Sequence, residues 1–404
     1  MEQKYWNIND IIIILTSFFT ITTITQRLVP FSINRLIGIA LLICLMADLF
    51  FHANRKKIVW WFVVALLLGI SMLVSGDLKY NLESYIYWMT TLFLFHKMTR
   101  VDSAEKLLEA FVKNKRYVKF FLWGYTFCNI AFLFSEECYE SYAGWGSSGY
   151  FQGYTASPHT LASVSCLFFS LACLYLFLQG LDMVILTGAL VSVLSVFQSG
   201  ARVFVISIAC IVMVASFILF RNIQYRIAFW CCGGAAFVVL FFKSGMVDKF
   251  TAVLSNKTTD ALAAFTNARS TIWEIDIREF GNSNLIQKIL GQGFDYVPKI
   301  NEMYYGDPIW AHNDFVQLLL SVGILGLLVY LLSILDVVAK MKCTSFFVKF
   351  FFVIYIFLPA FMNGLYIYQH LTYSVLYLWL MANLYSHREI YLEAIIKKGL
   401  TRKI

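Results

Sequence analysis

Residues 202–220 read RVFVISIACIVMVASFILF, an almost entirely apolar run behind one arginine. Roughly 17 to 25 mostly apolar residues cross a bilayer as a helix, so this stretch predicts a membrane span. About 12 segments of the chain pass the same test. The predicted spans are about 9–26, 31–52, 58–75, 80–97, 117–135, 159–179, 181–198, 202–220, 226–243, 312–338, 346–365 and 366–386.

Composition also indicates a membrane protein. Hydrophobic residues make up 60% of the chain, charged residues 14%, and the mean hydropathy is +0.70, which excludes a water-soluble globule. We therefore predict an all-α, polytopic integral membrane protein with a single transmembrane domain over residues 1–404. Within it, residues 244–310 form a large, polar, helical loop. Residues 98–116 form an amphipathic connector, either a helix lying on the membrane or a solvated segment.

The distribution of basic residues predicts the orientation, because Lys and Arg in short loops stay on the cytoplasmic side. They cluster in alternate connections, and the C-terminal tail carries several more. Both termini are therefore predicted to be cytoplasmic, and the 244–310 loop to face outward. The net charge of +8 reflects this topology and attraction to anionic lipid, and gives no case for nucleic-acid binding. The connections that define the cytoplasmic side contain Arg55, Lys56, Lys57, Lys97, Arg100, Lys106, Lys113, Lys115, Arg116, Lys119, Arg221, Arg226, Lys340, Lys342 and Lys349.

Two other features of the chain limit the chemistry. Most of the nine cysteines lie inside predicted spans, and Cys138 has no obvious loop partner, so no disulfide framework is indicated. Spacings typical of metal sites, such as CxxC or HExxH, are absent, and the six histidines are scattered. We predict neither a metal nor a cofactor. The N-terminal apolar block has no cleavage-site pattern and is predicted to be a retained helix.

Arg202 is the first candidate for a functional group. It follows Ser199, Gly200 and Ala201 at the outer end of a predicted span, where an arginine is costly but tolerated near the interface. One interpretation is a snorkelling arginine. The other is an outward-facing anion clamp, because a guanidinium group presents paired donors that match phosphate oxygens.

The predicted loop helix 261–280 supplies a second arginine. Its residues Arg269, Trp273, Asp276 and Phe280 recur at spacings that place them on one face. A surface salt bridge between Arg269 and Asp276 or Glu274 would explain this spacing equally well. Arg278 lies elsewhere on the same helix. The following Gly291-Gln292-Gly293 predicts a tight turn and is weak evidence for phosphate binding on its own.

His312 stands where the polar loop meets the apolar run 315–330. Histidine titrates near neutral pH, which suits a general base that removes a hydroxyl proton. The alternative is a histidine at a helix start whose ring is satisfied by the backbone or by Asp314.

These motifs occur together in an order that resembles the O-antigen polymerase and O-antigen ligase superfamily, over roughly residues 145–335. The resemblance is carried by Ser199-Gly200-Ala201-Arg202, Arg269 with Trp273, Gly291-Gln292-Gly293, His312-Asn313 and the segment Gly323 to Gly326. The first four spans match this family only in being apolar.

The resemblance implies a metal-independent, inverting, GT-C-like glycosyltransferase of the bacterial cytoplasmic (inner) membrane, with its site facing outward. Its donor and acceptor would be oligosaccharides on undecaprenyl pyrophosphate, and a chain-length regulator protein would be a further partner. His312 maps onto the family histidine and would act as base. Arg202 and Arg269 map onto the arginines that hold pyrophosphate. Beside these, we expect Arg278 to act as a helper and Asn313 and Tyr154 to contact substrate.

The 136–158 loop is a second candidate for substrate contact. It mixes Glu136, Glu137 and Glu140 with aromatic residues, and aromatic faces pack on sugar rings. A plain aromatic belt at the membrane interface explains the aromatics as well. Where the family more usually has an asparagine this chain has His159, to which we assign no role. The aromatic residues of this loop include Tyr142, Trp145, Tyr150 and Tyr154.

Three alternatives remain beside a polymerase of lipid-linked repeat units. A ligase would share the same residues and transfer the glycan to lipid A core. A flippase or transporter would place ionisable groups near the membrane midplane at a repeat interface, whereas the polar candidates here concentrate at the outer face. A structural membrane subunit would have no chemistry of its own.

Overall fold

The computed structural model describes residues 7–74, 76–142, 149–220, 222–244, 246–247, 251 and 269–397. Trp145 and residues 261–268 of the predicted loop helix lie outside the described residues. The described residues form seventeen α-helices and one two-stranded antiparallel ribbon, so the predicted all-α class is confirmed.

Most of the helices follow one another with short connections. Strands β1 (Tyr139–Glu140) and β2 (Tyr150–Phe151) pair between the sixth and seventh helices. The helices are α1 (Ile8–Ile24), α2 (Ile33–His52), α3 (Arg55–Val74), α4 (Leu78–Met98), α5 (Ser103–Lys113), α6 (Lys115–Leu133), α7 (Pro158–Gln179), α8 (Met183–Gln198), α9 (Arg202–Leu219), α10 (Ile223–Lys243), α11 (Arg269–Asn282), α12 (Leu285–Leu290), α13 (Tyr296–Tyr305), α14 (Asp314–Ser321), α15 (Gly323–Lys340), α16 (Phe346–Met362) and α17 (Gln369–Lys397).

Six of the described helices are long and apolar enough to cross a membrane, and three shorter ones are also apolar. The six are α2, α3, α7, α9, α10 and α15. No residue of α10 is fully buried within the protein, although the helix carries Phe237, Val239 and Phe242. A helix that is apolar and unburied all round requires an apolar surrounding. The architecture is therefore compatible with a multi-pass membrane protein.

Helices α7 and α17 form the centre of the bundle. Residues 370–384 of α17 are buried, and α17 packs against α7, α9 and α16. His370 ties three helices together: its Nε2 lies 2.9 Å from Thr23 Oγ1 on α1, and its Nδ1 lies 3.1 Å from Ser163 Oγ on α7. This histidine is a satisfied core residue and takes no part in the candidate site.

The bundle has two chemically different ends. At the start of α4, Asn81 donates a 2.8 Å hydrogen bond to Asp295 of the loop. At its other end, Lys97 donates a 2.8 Å hydrogen bond to Asp48. Sixteen residues of helix separate the two, about 24 Å at 1.5 Å per residue. We call the first the loop end, marked by Asn81 and Asp295, and the second the basic end, marked by Asp48 and Lys97.

The predicted span 312–338 is wrong as a single helix, because the chain breaks at Val322 between α14 and α15. The carbonyls of Leu320 and Ser321, which a continuous helix would pair with residues four positions on, accept instead from the backbone of the 291–293 turn. Both bonds are 2.9 Å long. Gly323, with φ +69°, allows the close approach.

The connector predicted over residues 98–116 contains helix α5. Its Leu107, Leu108 and Phe111 are fully buried, and the helix packs against α1 and α17. The apolar face is therefore covered by the protein itself and does not lie on a lipid surface.

Candidate functional site at the loop end

Helix α11 joins two backbone segments at the loop end. Trp273 donates a 2.7 Å hydrogen bond from Nε1 to the carbonyl of Ala311. One turn earlier, Arg269 donates to the Met362 carbonyl and, at 3.2 Å, to Asn363 Oδ1. The face predicted from spacing is the one that packs against these segments. The alternative salt bridge from Arg269 to Asp276 or Glu274 is not formed.

His312 lies between the two anchor points of α11. It is the one non-glycine residue with positive φ in the described part of the chain, at +51°. Such a conformation costs an ordinary residue roughly 1–2 kcal/mol, so the surrounding contacts must hold it. The ring packs on Trp310 with 4.4 Å between centroids. Its Nδ1 is buried without a hydrogen-bond partner among the described residues. His312 thus precedes α14 and does not stand inside it.

Two causes keep the His312 ring neutral. Burial lowers the pKa of His312 most, and the positive charge of Arg269 lowers it further, to about 3, while Asn363 acts in the opposite direction. The alternative in which Asp314 satisfies the histidine is not observed. The Asp314 carboxylate instead accepts from Leu365 and Tyr366, as described next. A neutral imidazole is the form that can accept a proton.

Asp314 fixes the turn that carries the Arg269 acceptors. Its Oδ2 accepts hydrogen bonds from the backbone N–H of Leu365 at 2.8 Å and of Tyr366 at 3.2 Å. The Tyr330 hydroxyl adds a third donor at 2.8 Å. A buried carboxylate with three donors sets the backbone of the α16–α17 connection, and therefore the position of Met362 and Asn363.

Arg202 reaches the same region from another helix. A turn in which Gly200 has φ +65° and Ser199 Oγ accepts from the Ala201 N–H reverses the chain before α9. Burial lowers the pKa of Arg269 to about 10, Tyr368 acts in the opposite direction, and the positive charge of Arg202 lowers it again. Phe204, two residues after Arg202 on α9, packs edge-on against Tyr368 with 5.7 Å between ring centroids, so the start of α9 lies in the same region of the protein. No acidic side chain pairs with Arg269 in the described part of the chain.

The structure does not bring Arg278 to this site. Nine residues of helix separate it from Arg269, which at 100° per residue puts the two on opposite faces. Arg278 is exposed, with its guanidinium 5.4 Å from the centre of the Tyr304 ring. Its predicted role in holding pyrophosphate has no support from this placement.

Asn313 and Tyr154 are also committed to other contacts. Asn313 is the N-cap of α14 and accepts from the N–H groups of Phe315 and Val316 at 2.9 and 3.2 Å. Tyr154 donates its hydroxyl to Glu137 at 3.1 Å and packs edge-on against Phe132. Both contacts are structural, so neither residue is placed as the predicted substrate contact.

The Gly291-Gln292-Gly293 turn packs backbone against backbone. A Cβ on Gly291 would lie 2.3 Å from the Ser321 carbonyl oxygen, and one on Gly323 would lie 2.2 Å from that of Ile289. The N–H groups of Gln292 and Gly293 are used by α14. The turn is therefore a structural joint between α12 and α14 and does not present its amides to a phosphate.

Three residues of the site were not singled out from the sequence. Trp310 and Asn363 flank the His312 ring, and Tyr368 lies 6.1 Å from Trp310 between ring centroids. The short polar turn at Asn363 and Gly364, between two predicted spans, is the signal that could have indicated the second of them.

The loop end therefore combines a neutral histidine with two arginines that come from separate elements. This arrangement can accept a proton and hold an anion side by side. The chain matches no protein-family model, and no curated protein is significantly similar to it.

Proposed function

We propose that this protein is a glycosyltransferase of the O-antigen polymerase and ligase superfamily. It joins undecaprenyl-pyrophosphate-linked repeat units into O-antigen or capsular polysaccharide on the outer face of the bacterial cytoplasmic membrane. In this proposal about 12 helices cross the membrane in a GT-C-like arrangement. The observation that carries it is the convergence of Arg202, Arg269 and His312 from α9, α11 and the segment before α14.

The two arginines fit the leaving group of such a reaction. Arg269 has neutral hydrogen-bond acceptors only, Met362 and Asn363, and it feels the charge of Arg202. A pyrophosphate anion would remove this repulsion and accept from both guanidinium groups. As the bond from the donor's anomeric carbon to the pyrophosphate oxygen breaks, that oxygen keeps the electron pair. Its developing charge is stabilised by groups already in place.

His312 fits the base. The acceptor hydroxyl would transfer its proton to the imidazole while its oxygen bonds to the anomeric carbon, with inversion. Because the charge of Arg269 is one cause of the low pKa of His312, a bound pyrophosphate would raise that pKa toward neutrality. The base would then be strongest when the donor is present.

Orientation follows from the two ends of the bundle. The loop end, with the candidate site, would face outward, and the basic end would face the cytoplasm together with both termini. The site would then lie where the lipid-linked donor is available after translocation.

A purified preparation tests this function. The full chain is mixed with synthetic lipid-linked oligosaccharide, without nucleotide or added metal, and the products are sized on a gel. Longer lipid-linked products support a polymerase. Transfer only to added lipid A core identifies a ligase, and unchanged substrate with movement across vesicles identifies a transporter.

Matched variants connect the activity to the site. We expect His312→Ala to lower the rate about 10²- to 10⁴-fold and Arg269→Ala about 10²- to 10³-fold. Arg278→Ala, the same change on the opposite face of α11, should leave the rate within about twofold, since surface changes rarely exceed 0.5 kcal/mol. Equal losses at Arg269 and Arg278 would contradict the assignment.

A further inference from the structure

We infer that the basic end carries a second anion site, which binds a phosphate group of a lipid headgroup or of a small soluble compound. The site is a cavity of about 670 Å³ between the ends of α2, α4 and α15, the first turns of α3 and α5, and the middle of α17. Pockets of roughly 300–1,000 Å³ are typical of small-molecule sites. The cavity is built from residues that play no part in the candidate site at the loop end.

Positive charge dominates the walls of this cavity. One carboxylate, Asp102, lines it. Five cationic side chains from separate parts of the chain also line the cavity, namely Lys57, Arg100, Lys106, Lys340 and Lys342.

Two of these lysines are not neutralised. Lys57 has no acidic partner among the described residues, and the Lys342 ammonium group donates to an uncharged acceptor, the Val101 carbonyl, at 3.1 Å. The other cations have carboxylate partners: Arg100 bonds to Asp48 at 2.6 Å, for example. Lysines held together without counter-charges repel one another, and a bound anion relieves that repulsion.

A buried donor without an acceptor gives independent support. Trp379 of α17 lines the cavity and is 2% exposed, and its Nε1 has no hydrogen-bond partner in the described structure. An indole N–H is a donor only, and a buried one without an acceptor costs about 1–3 kcal/mol. A ligand oxygen would supply the acceptor.

The architecture around Trp379 is rigid. Asn383, one turn further along α17, donates to the Trp379 carbonyl at 2.8 Å and accepts from the Lys342 N–H at 3.0 Å. These bonds fix the backbone of the 341–345 connection, and so the starting point of the Lys342 side chain. Ammonium groups and an indole N–H around one cavity are all hydrogen-bond donors, which is the chemistry that recognises phosphate oxygens.

This site is distinct from the proposed glycosyltransferase site. Along α4 the two ends are about 24 Å apart. Basic pockets at the cytoplasmic ends of membrane helices bind anionic lipid headgroups, and soluble phosphates share the same oxygen acceptors. The inference does not depend on the reaction at the loop end.

A binding experiment on the detergent-purified full chain tests it. Short-chain phosphatidic acid, short-chain phosphatidylcholine and inorganic phosphate are titrated separately, with bound lipid counted by native mass spectrometry and phosphate binding measured by calorimetry. Preferential binding of phosphatidic acid identifies a lipid headgroup, and binding of inorganic phosphate identifies a soluble ligand. Both outcomes support the site, whereas binding of neither overturns it.

Variants locate the binding. A surface lysine contributes about fivefold to the affinity for an anionic headgroup, so Lys57→Gln with Lys342→Gln should weaken binding about 30-fold. Trp379→Phe should weaken it about fivefold through loss of the donor. Lys56→Gln is the control, because Lys56 neighbours Lys57 but does not line the cavity. Equal weakening by the Lys56 change would overturn the site, since it would indicate nonspecific attraction.

Discussion

Trp273 donates a 2.7 Å hydrogen bond from its indole Nε1 to the carbonyl oxygen of Ala311, the residue before His312. This bond makes α11 a support for the strained backbone at position 312, where φ is +51°. Since Arg269 lies on the same face of α11, one helix positions both a proposed anion ligand and the proposed base.

We predict that Trp273→Phe loosens the His312 segment while the helix stays packed. A phenyl ring remains to fill most of the space, and the lost hydrogen bond is worth about 1 kcal/mol. Hydrogen exchange at the amides around Ala311 should become about fivefold faster, and turnover should fall about five- to tenfold with little change in KM. The readout by exchange is independent of the proposed reaction.

Trp123→Phe is the matched control for this change. Trp123 donates from the same indole atom to Asp182 at the basic end, at 3.2 Å. Removing that bond should leave both exchange near Ala311 and turnover unaltered. If both tryptophan changes slow turnover equally, Trp273 acts through general stability and not through His312.

The Asp314 contacts predict an order of stabilities. Tyr330→Phe removes one of three donors to the carboxylate and should cost about 1 kcal/mol. Asp314→Ala leaves the buried N–H groups of Leu365 and Tyr366 without an acceptor, at about 1–3 kcal/mol each. Thermal unfolding in detergent should therefore show a much larger decrease for Asp314→Ala.

The control for Asp314 is Asp336→Ala on α15. Asp336 forms an exposed pair with Lys340 at 2.8 Å, and such surface pairs contribute about 0–1 kcal/mol. If Tyr330→Phe lowered the unfolding midpoint as much as Asp314→Ala does, the carboxylate would stabilise the protein mainly through the Tyr330 hydroxyl and not through the backbone turn.

The joint between α12 and α14 gives a third prediction. A Cβ on Gly323 would lie 2.2 Å from the carbonyl oxygen of Ile289 and 2.7 Å from the backbone nitrogen of Gly291. Backbone atoms cannot rotate away, so Gly323→Ala should abolish the folded loop end. The expected observation is a loss of monodisperse protein in size-exclusion chromatography.

Gly306→Ala is the control that separates the effect of a Cβ clash from the effect of a positive φ alone. Gly306 also has positive φ, at +79°, but a Cβ there would meet nothing within 4 Å. The change should cost only about 1–2 kcal/mol, the usual penalty for an L-residue in this region. Similar losses at both glycines would mean that conformation alone, without the close approach, explains the effect.

The sequence predicts those features of the site that depend on residues close together in the chain. The helical period places Arg269 and Trp273 on one face of α11. It places Arg278 half a rotation away, which excludes Arg278 from the site that Arg269 faces. The cost of an arginine at a span's end singled out Arg202. All of these are local properties that spacing and hydropathy report directly.

Long-range contacts limited the rest of the prediction. The break at Val322 exists because the turn at Gly291, some thirty positions earlier, takes the carbonyls that would have continued the helix. Likewise, Asn363 and Tyr368 join the site only because Asp314 holds their connection in place. No periodic pattern encodes such partners, so the apolar run 312–338 by itself predicts one continuous helix.

Asp276 supplies a prediction about pH. Burial raises the pKa of Asp276 from 3.8 to about 7, with Asn301 acting in the opposite direction. Neither carboxylate oxygen has a hydrogen-bond partner within the described residues. Because the folded state binds this proton more tightly, its contribution to stability is present below pH 3.8 and is lost as the pH rises to about 7. The shift limits the effect to about 4 kcal/mol.

Asp276→Asn should therefore stabilise the chain most at about pH 8, where the carboxyl group is charged in the folded state as well, and clearly less at about pH 5, where only the unfolded state has lost the proton. Thermal unfolding in detergent at both pH values measures the difference. Asp307→Asn, an exposed change in the same loop, is the control and should shift the midpoint equally little at either pH. An Asp276→Asn shift of the same size at both pH values would indicate altered packing, since only loss of a titrating group makes the shift depend on pH.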